Sequence, residues 1–224
     1  PPSDLRVWLV SGAAPNPDLR EALSLFVAGP EALRVMSLAE YERTLPVASP
    51  PPDLIVFDRV RPVAPPPTPT VSFGATLPIP GLGVADGAGG PTRFLTWRRT
   101  HPLLRDVVLD AVIVQRPLAL TLPEEQPTVV STPLAQGEGG PLIALLEQGA
   151  VRRVVVAFDI DATTWPLSYS FPIFIANAVE FLAGGGAGGG AARGYRTTDP
   201  ITVRAAPDVQ TVRVRGPINL DAPV

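Results

Sequence analysis

Short continuous apolar runs alternate with segments of helical period through the first third of the chain. "LRVWLV" (Leu5 to Val10) suits a buried strand, and the turn "SGAAPN" follows it. "PDLREALSLFVAG" then sets Leu19, Leu23, Phe26 and Val27 on one helical face, with Gly29 at the expected C-terminal stop. "LRVMS" reads as a second strand, and "SLAEYERTL" as a helix opened by Ser37 and Glu40 at capping-box spacing. "DLIVFD" (Asp53 to Asp58) is a third strand of the continuous kind that parallel sheets bury on both faces. Strand, helix, strand, helix, strand at this spacing predicts a doubly wound, mainly parallel sheet.

The rhythm then changes. The proline-dense stretch "RPVAPPPTPT" (Arg61 to Thr70) leads into a fourth strand at "VSFGA", and "LPIPGLGVADGAGG" reads as a surface loop without periodicity. From Thr92 to Ala157 the runs "TRFLTW", "AVIVQRPLALTL", "PTVVSTPLA", "PLIALLEQG" and "VRRVVVAFD" predict antiparallel additions to the parallel core. The last strand brings Asp159 and Asp161 to its carboxyl end. In the helix after it, Ser170 is placed as cap, Pro172 in the first turn, and Phe171, Phe174, Ile175, Ala178, Val179 and Leu182 on one apolar face. The pattern divides the chain into an α/β domain over 1–185, a glycine-rich linker over 186–194 and the start of a small, truncated β-module over 195–224.

Composition narrows the chemistry. With 224 residues, 46% of them hydrophobic, the chain can bury a substantial core, while 29 prolines and 20 glycines keep its elements short. All 18 basic residues are arginine and the net charge is −3, so there is no lysine for a Schiff base or phosphate loop and no basic excess for nucleic acid. The absence of cysteine removes thiolate chemistry and disulfides, and the single histidine, His101, removes any multi-histidine metal centre. No cofactor is expected. The longest apolar run, Phe171 to Leu182, is shorter than the ~20 residues of a bilayer span. The chain opens on Pro1 without a signal-type segment, and it reads as a soluble piece of a longer protein.

Two motifs taken together carry a family resemblance. "HPLLRDV" (His101 to Val107) and "VVVAFDIDATTWPLSYSFPIFIANAVEFLAG" resemble a region of long bacterial membrane proteins of the aerotolerance-regulator (Bat) type, downstream of their von Willebrand factor A domain. The resemblance, over roughly Leu5 to Ala183, implies a class I glutamine-amidotransferase-like, flavodoxin-like α/β domain followed by a small β-module and a membrane helix. It implies a non-catalytic interaction or scaffolding role with protein partners, attached to a membrane only through regions outside this fragment and placed on the extracytoplasmic side. True class I amidotransferases carry a nucleophilic cysteine at a strand-to-helix elbow. The corresponding "VSFGAT" (Val71 to Thr76) has none, and no His-x-Glu pair follows.

Three candidate sites remain, each beside a plainer role. Ser72 or Thr76 with His101 is the nucleophilic arrangement that composition permits, yet "VSFGA" does not match G-x-S-x-G, and a strand serine with a turn histidine explains the same residues. Asp159 and Asp161, two apart on an extended segment, can share one Mg²⁺ or Ca²⁺, or can simply cap the following turn. Trp165 and Tyr169 can line a pocket at the carboxyl edge of the sheet or plug it. A serine-dependent or metal-assisted hydrolase and a small-ligand sensor are therefore the alternatives. Geometry separates them: a serine within about 3 Å of His101, converging aspartates, or an open pocket at Trp165.

Overall fold

The computed structural model describes residues 5–12, 14–29, 31–87, 90–124, 128–183, 211–214 and 220–223. The chain divides into two units, Pro1–Gly190 and Ala191–Val224. In the second, Thr211–Val214 pairs antiparallel with Leu220–Pro223. The glycine-rich stretch expected as a linker and the predicted strand in "DPITVRAAP" lie outside the described residues.

In the first unit the strands are β1 (Val7–Ser11), β2 (Leu33–Ser37), β3 (Leu54–Asp58), β4 (Thr70–Phe73), β5 (Gly83–Asp86), β6 (Thr92–Arg93), β7 (Thr96–Trp97), β8 (Ile113–Val114), β9 (Leu118–Thr121), β10 (Val130–Gly137), β11 (Gly140–Gln148) and β12 (Val151–Val156). The helices are α1 (Pro17–Ser24), α2 (Leu38–Thr44) and α3 (Ser170–Ala183). Eight strands form one sheet in the order β2-β1-β3-β4-β12-β11-β10-β7. From β2 to β12 all neighbours are parallel, and from β12 to β7 all are antiparallel. If β12 is counted as the fifth parallel strand, the order is 2-1-3-4-5, that of flavodoxin-like folds. The protein is thus an α/β domain of flavodoxin-like topology with an antiparallel extension.

Continuous apolar runs become central strands: β1 and β3 are buried at every position, as strands covered on both faces must be. One face packs Val7, Leu9, Leu54, Val56, Val154 and Val156 under α1 and α3. The opposite face packs Trp8, Val10, Ile55, Phe57 and Val155 under Tyr41 of α2 and under Leu77, Ile79, Leu82 and Leu120, which come from irregular segments and from the β5–β9 ribbon. Loop residues do there what further helices do in larger relatives of this topology.

Local signals account for most boundaries. Asn16 caps α1 by accepting the Leu19 amide, and Ser37 caps α2 by accepting that of Glu40 at 3.2 Å. Gly149, with φ of 57°, supplies the left-handed residue of the β11–β12 hairpin. Three expectations are corrected. Helix α1 stops at Ser24, not near Gly29, so Val27 and Phe26 reach the core from a turn. The stretch expected to be a bare loop contains β5, held by antiparallel pairing to β9. Ser170 does not cap α3 but is its first residue: the Ser168 hydroxyl accepts the Ser170 amide, and the Ser170 hydroxyl accepts the buried Trp165 indole at 2.9 Å.

Candidate functional site

The carboxyl ends of β1, β3, β4 and β12 bring four connections to one edge of the sheet. In this strand order the crevice between β1 and β3 is the switch point, where the chain leaves the sheet in opposite directions and where ligands of open α/β sheets bind. Asn16, Asp58 and Arg59 stand there, and the segment after β12 adds Asp159 and Asp161.

Asp58 ends β3 with a fully buried side chain. It accepts the Asn16 amide at 2.8 Å, and Arg59 forks onto both of its oxygens, Nε at 3.0 Å and Nη2 at 3.2 Å. The other arm of the guanidinium, Nη1, donates to Asp161 Oδ2 at 2.8 Å, and Nε lies 3.9 Å from Asp159 Oδ1. The Asn16 side-chain amide donates to the remaining oxygen of Asp161. One cation is thus shared by three carboxylates drawn from two strand ends. Arg59 reaches this position from a left-handed backbone, φ 59°, which costs an L-residue about 1–2 kcal/mol and which the bidentate grip on Asp58 offsets.

The hydrogen bond to Asp58 raises the Arg59 pKa further, against the opposing effect of burial. Burial pushes the Asp159 carboxyl above its ordinary value, although the Asp161 amide and Arg59 pull the other way. The sign of the pH effect follows. An acid whose folded pKa is raised adds stability below its unfolded pKa and loses that contribution as pH rises through the folded one. Asparagine keeps an oxygen for the Asp161 amide, which donates to Asp159 Oδ1 at 3.1 Å. Asp159→Asn should therefore hold the turn, and urea titrations from pH 7 to pH 4 should show the variant losing ground to wild type as pH falls.

The paired aspartates do not stand on one extended segment. Asp159 caps the short 3₁₀ turn Ile160–Ala162, Asp161 lies inside that turn, and the cation between them is Arg59. Among the described residues no group of three or more His, Asp or Glu side chains is arranged to hold a metal ion.

Ser72 is fully buried in β4, and its hydroxyl donates to the Ala75 carbonyl at 2.6 Å; Thr76 is buried beside it. The turn after β4 is closed from above. Gly74, at φ 66°, lies so near Arg59 and Asp159 that a Cβ there would stand 3.2 Å from the Arg59 Cγ and 3.3 Å from the Asp159 Cα. His101 belongs to the other end of the sheet. Its Nδ1 accepts the Leu103 amide at 3.2 Å, its ring meets Phe181 edge-on at 5.3 Å, and the Arg152 guanidinium stacks on the same Phe181. Burial lowers its pKa; Glu147 opposes this, and Arg98 and Arg152 add to it. Ser72 pairs with Val155, three residues beyond Arg152 on β12, or about 10 Å along the strand. Serine and histidine are not brought together.

Trp165 and Tyr169 also part. Trp165 is fully buried among Phe94, Phe158, Phe171 and Phe174, with ring centroids 4.9–6.4 Å away. Tyr169 is 91% exposed and Leu167 90%. The tryptophan plugs the edge rather than lining a pocket in it. The residues that do meet at the switch point, Asn16, Asp58 and Arg59, were not among those singled out from the sequence. Their signal lay in position alone: the cap after the first strand and the Asp-Arg pair closing the third.

No family model matches the chain, and no curated protein matches its sequence. Its fold does have solved counterparts. The cytoplasmic protein STM1381 of Salmonella typhimurium LT2 is similar over 80% of this chain and 99% of its own, with 10% identity and a TM-score of 0.57. The cytoplasmic protein STM3548 of Salmonella typhimurium is similar over 80% and 99%, with 9% identity and a TM-score of 0.52. These establish a shared α/β fold. A candidate GMP synthase subunit from Thermoplasma acidophilum, of amidotransferase type, is also similar, over 80% of this chain and 95% of its own, at 11% identity and a TM-score of 0.49. No helix among the described residues is long and apolar enough to cross a membrane.

Proposed function

We propose that this chain is a non-catalytic interaction domain of amidotransferase-like type, serving as a scaffold within a membrane-anchored protein of the von Willebrand A kind. The observation that carries the reading is the state of the switch point. Its charged groups are committed to one another, with Arg59 in the place a ligand cation or a reacting group would take. The elbow after β4 supports it, because Ser72 spends its hydroxyl on Ala75 and lies far from the chain's one histidine. A nucleophilic serine needs a base within hydrogen-bond reach, and the buried β4 hydroxyl has a backbone carbonyl instead. The membrane context, the extracytoplasmic side and the protein partners rest on the sequence resemblance given above.

The test is hydrolysis of activated ester and glutamine-type amide substrates by wild type, Ser72→Ala and His101→Ala. All three should give the same background rate. A reproducible activity lost in either variant would overturn the reading in favour of a serine hydrolase.

A further inference from the structure

The main sheet has two ends, and they differ. At one, β7 is only two residues long and Trp97 is held by its indole on the Val107 carbonyl. A short edge strand gives little template for pairing. At the other, β2 offers five residues and no strand beside it among the described residues. The Val7 amide takes the Ala32 carbonyl, which fixes the phase of the parallel ladder. Arg34 and Met36 turn their main-chain groups toward β1, so Leu33 and Val35 turn theirs outward.

Those two residues also face a groove. A concavity of about 430 Å³ runs between β2 and α1, floored by Val27, Leu33 and Val35 and bounded by Arg20 and Ser24. Its one charged lining residue among those described is Arg20, an exposed arginine with no ion pair among the described residues, whereas Arg34 on the opposite face is held by Glu40 at 2.6 Å and lies over Trp8. Glu21 lines only the neighbouring groove, on the far side of Arg20. An acidic side chain is therefore favoured on the β2 side.

The geometry points to a β-augmentation site: an extended segment of a partner protein pairs with the outward groups of Leu33 and Val35, lays alternate apolar side chains against Val27 and Val35, and places one carboxylate side chain on Arg20. Edge strand, adjoining helix and apolar floor are the components by which extended peptides are recognised, the main chain giving affinity and the pockets giving choice. The inference rests on the interaction-domain reading and gives it a surface and a class of partner.

The test uses the full ¹⁵N-labelled chain and a blocked heptapeptide of alternating threonine and valine with one central aspartate, beside the same peptide carrying asparagine. Titration should shift the Leu33 and Val35 amides and slow their hydrogen exchange. Affinity should fall about tenfold or more for the asparagine peptide, and likewise for Arg20→Gln. Val35→Pro removes only an outward N–H, a change edge strands accept, so it should abolish binding while its circular dichroism and melting curve show the fold retained. Binding unchanged in Arg20→Gln or Val35→Pro, or no response at β2, overturns the site. So does protection of the β2 amides that grows with protein concentration alone, since the edge would then serve a second copy. A silent titration with silent hydrolysis assays removes this surface and leaves the non-catalytic reading, while Ser72-dependent turnover removes that reading and leaves the titration standing.

Discussion

Trp165→Ala is expected to destabilise the domain by about 3–5 kcal/mol, the range for deleting a large aromatic from a packed core. The indole is fully buried, its ring meets four phenylalanines, and Phe174 is the nearest at 4.9 Å. Its N–H donates to the Ser170 hydroxyl at the first residue of α3, so the substitution both empties a cavity and strands a buried hydroxyl. Trp165→Phe separates the two effects. It keeps most of the ring volume and loses the hydrogen bond, and should cost about 1–2 kcal/mol. Urea unfolding of both variants checks the pair. A small loss for Trp165→Ala would mean that the aromatic cluster closes over the gap, contrary to the tight packing described. Against a typical domain stability of about 5–15 kcal/mol, the larger loss approaches unfolding at physiological temperature.

Arg59→Ala should cost about 2–3 kcal/mol, less than a fully buried pair would because the arginine is 36% exposed while Asp58 is completely covered. The variant leaves Asp58 with the Asn16 amide alone and puts Asp159 and Asp161 near each other without their shared cation. Arg59→Gly removes the same charge but accepts the left-handed backbone, so it should be more stable than Arg59→Ala by about 1 kcal/mol. Denaturant midpoints at low and high salt decide the matter. Equal stability of the two variants would show that the backbone at 59 is unstrained, and no loss in either would show that the carboxylates have other partners.

How far the sequence led depended on the kind of signal. Alternating apolar runs and capped helices announced β1 to β4, α1 and α2, because burial on both faces leaves a continuous hydrophobic trace and a cap leaves a serine or asparagine at a fixed offset. β5 was illegible for the opposite reason. "GVAD" has neither alternation nor branched side chains in number, and it is a strand only because β9 pairs with it. The aspartates at 159 and 161 were visible as a pair, yet their partner lies about 100 residues away, and nothing local to Arg59 reports which carboxylates it will face. Trp165 and Tyr169 look alike in one short stretch, and only the path of the turn sends one into the core and the other to solvent. Charge networks and side-chain direction at strand ends are tertiary facts, and a linear pattern does not contain them.

The change from parallel to antiparallel pairing at β12 also sets an order of assembly. β10, β11 and β12 are joined by tight turns, so their pairing closes only short loops and can form early. The bond between β12 and β4 joins Thr70 to Arg153, about 80 residues apart, and must wait for a far larger loop to close. During synthesis β1 to β4 emerge first, and β4 then presents an apolar, unpaired edge until the completed meander arrives. Variants that slow the β11–β12 turn at Gly149 therefore prolong the lifetime of that edge, and their cost falls on yield through aggregation even where the finished fold is as stable as wild type.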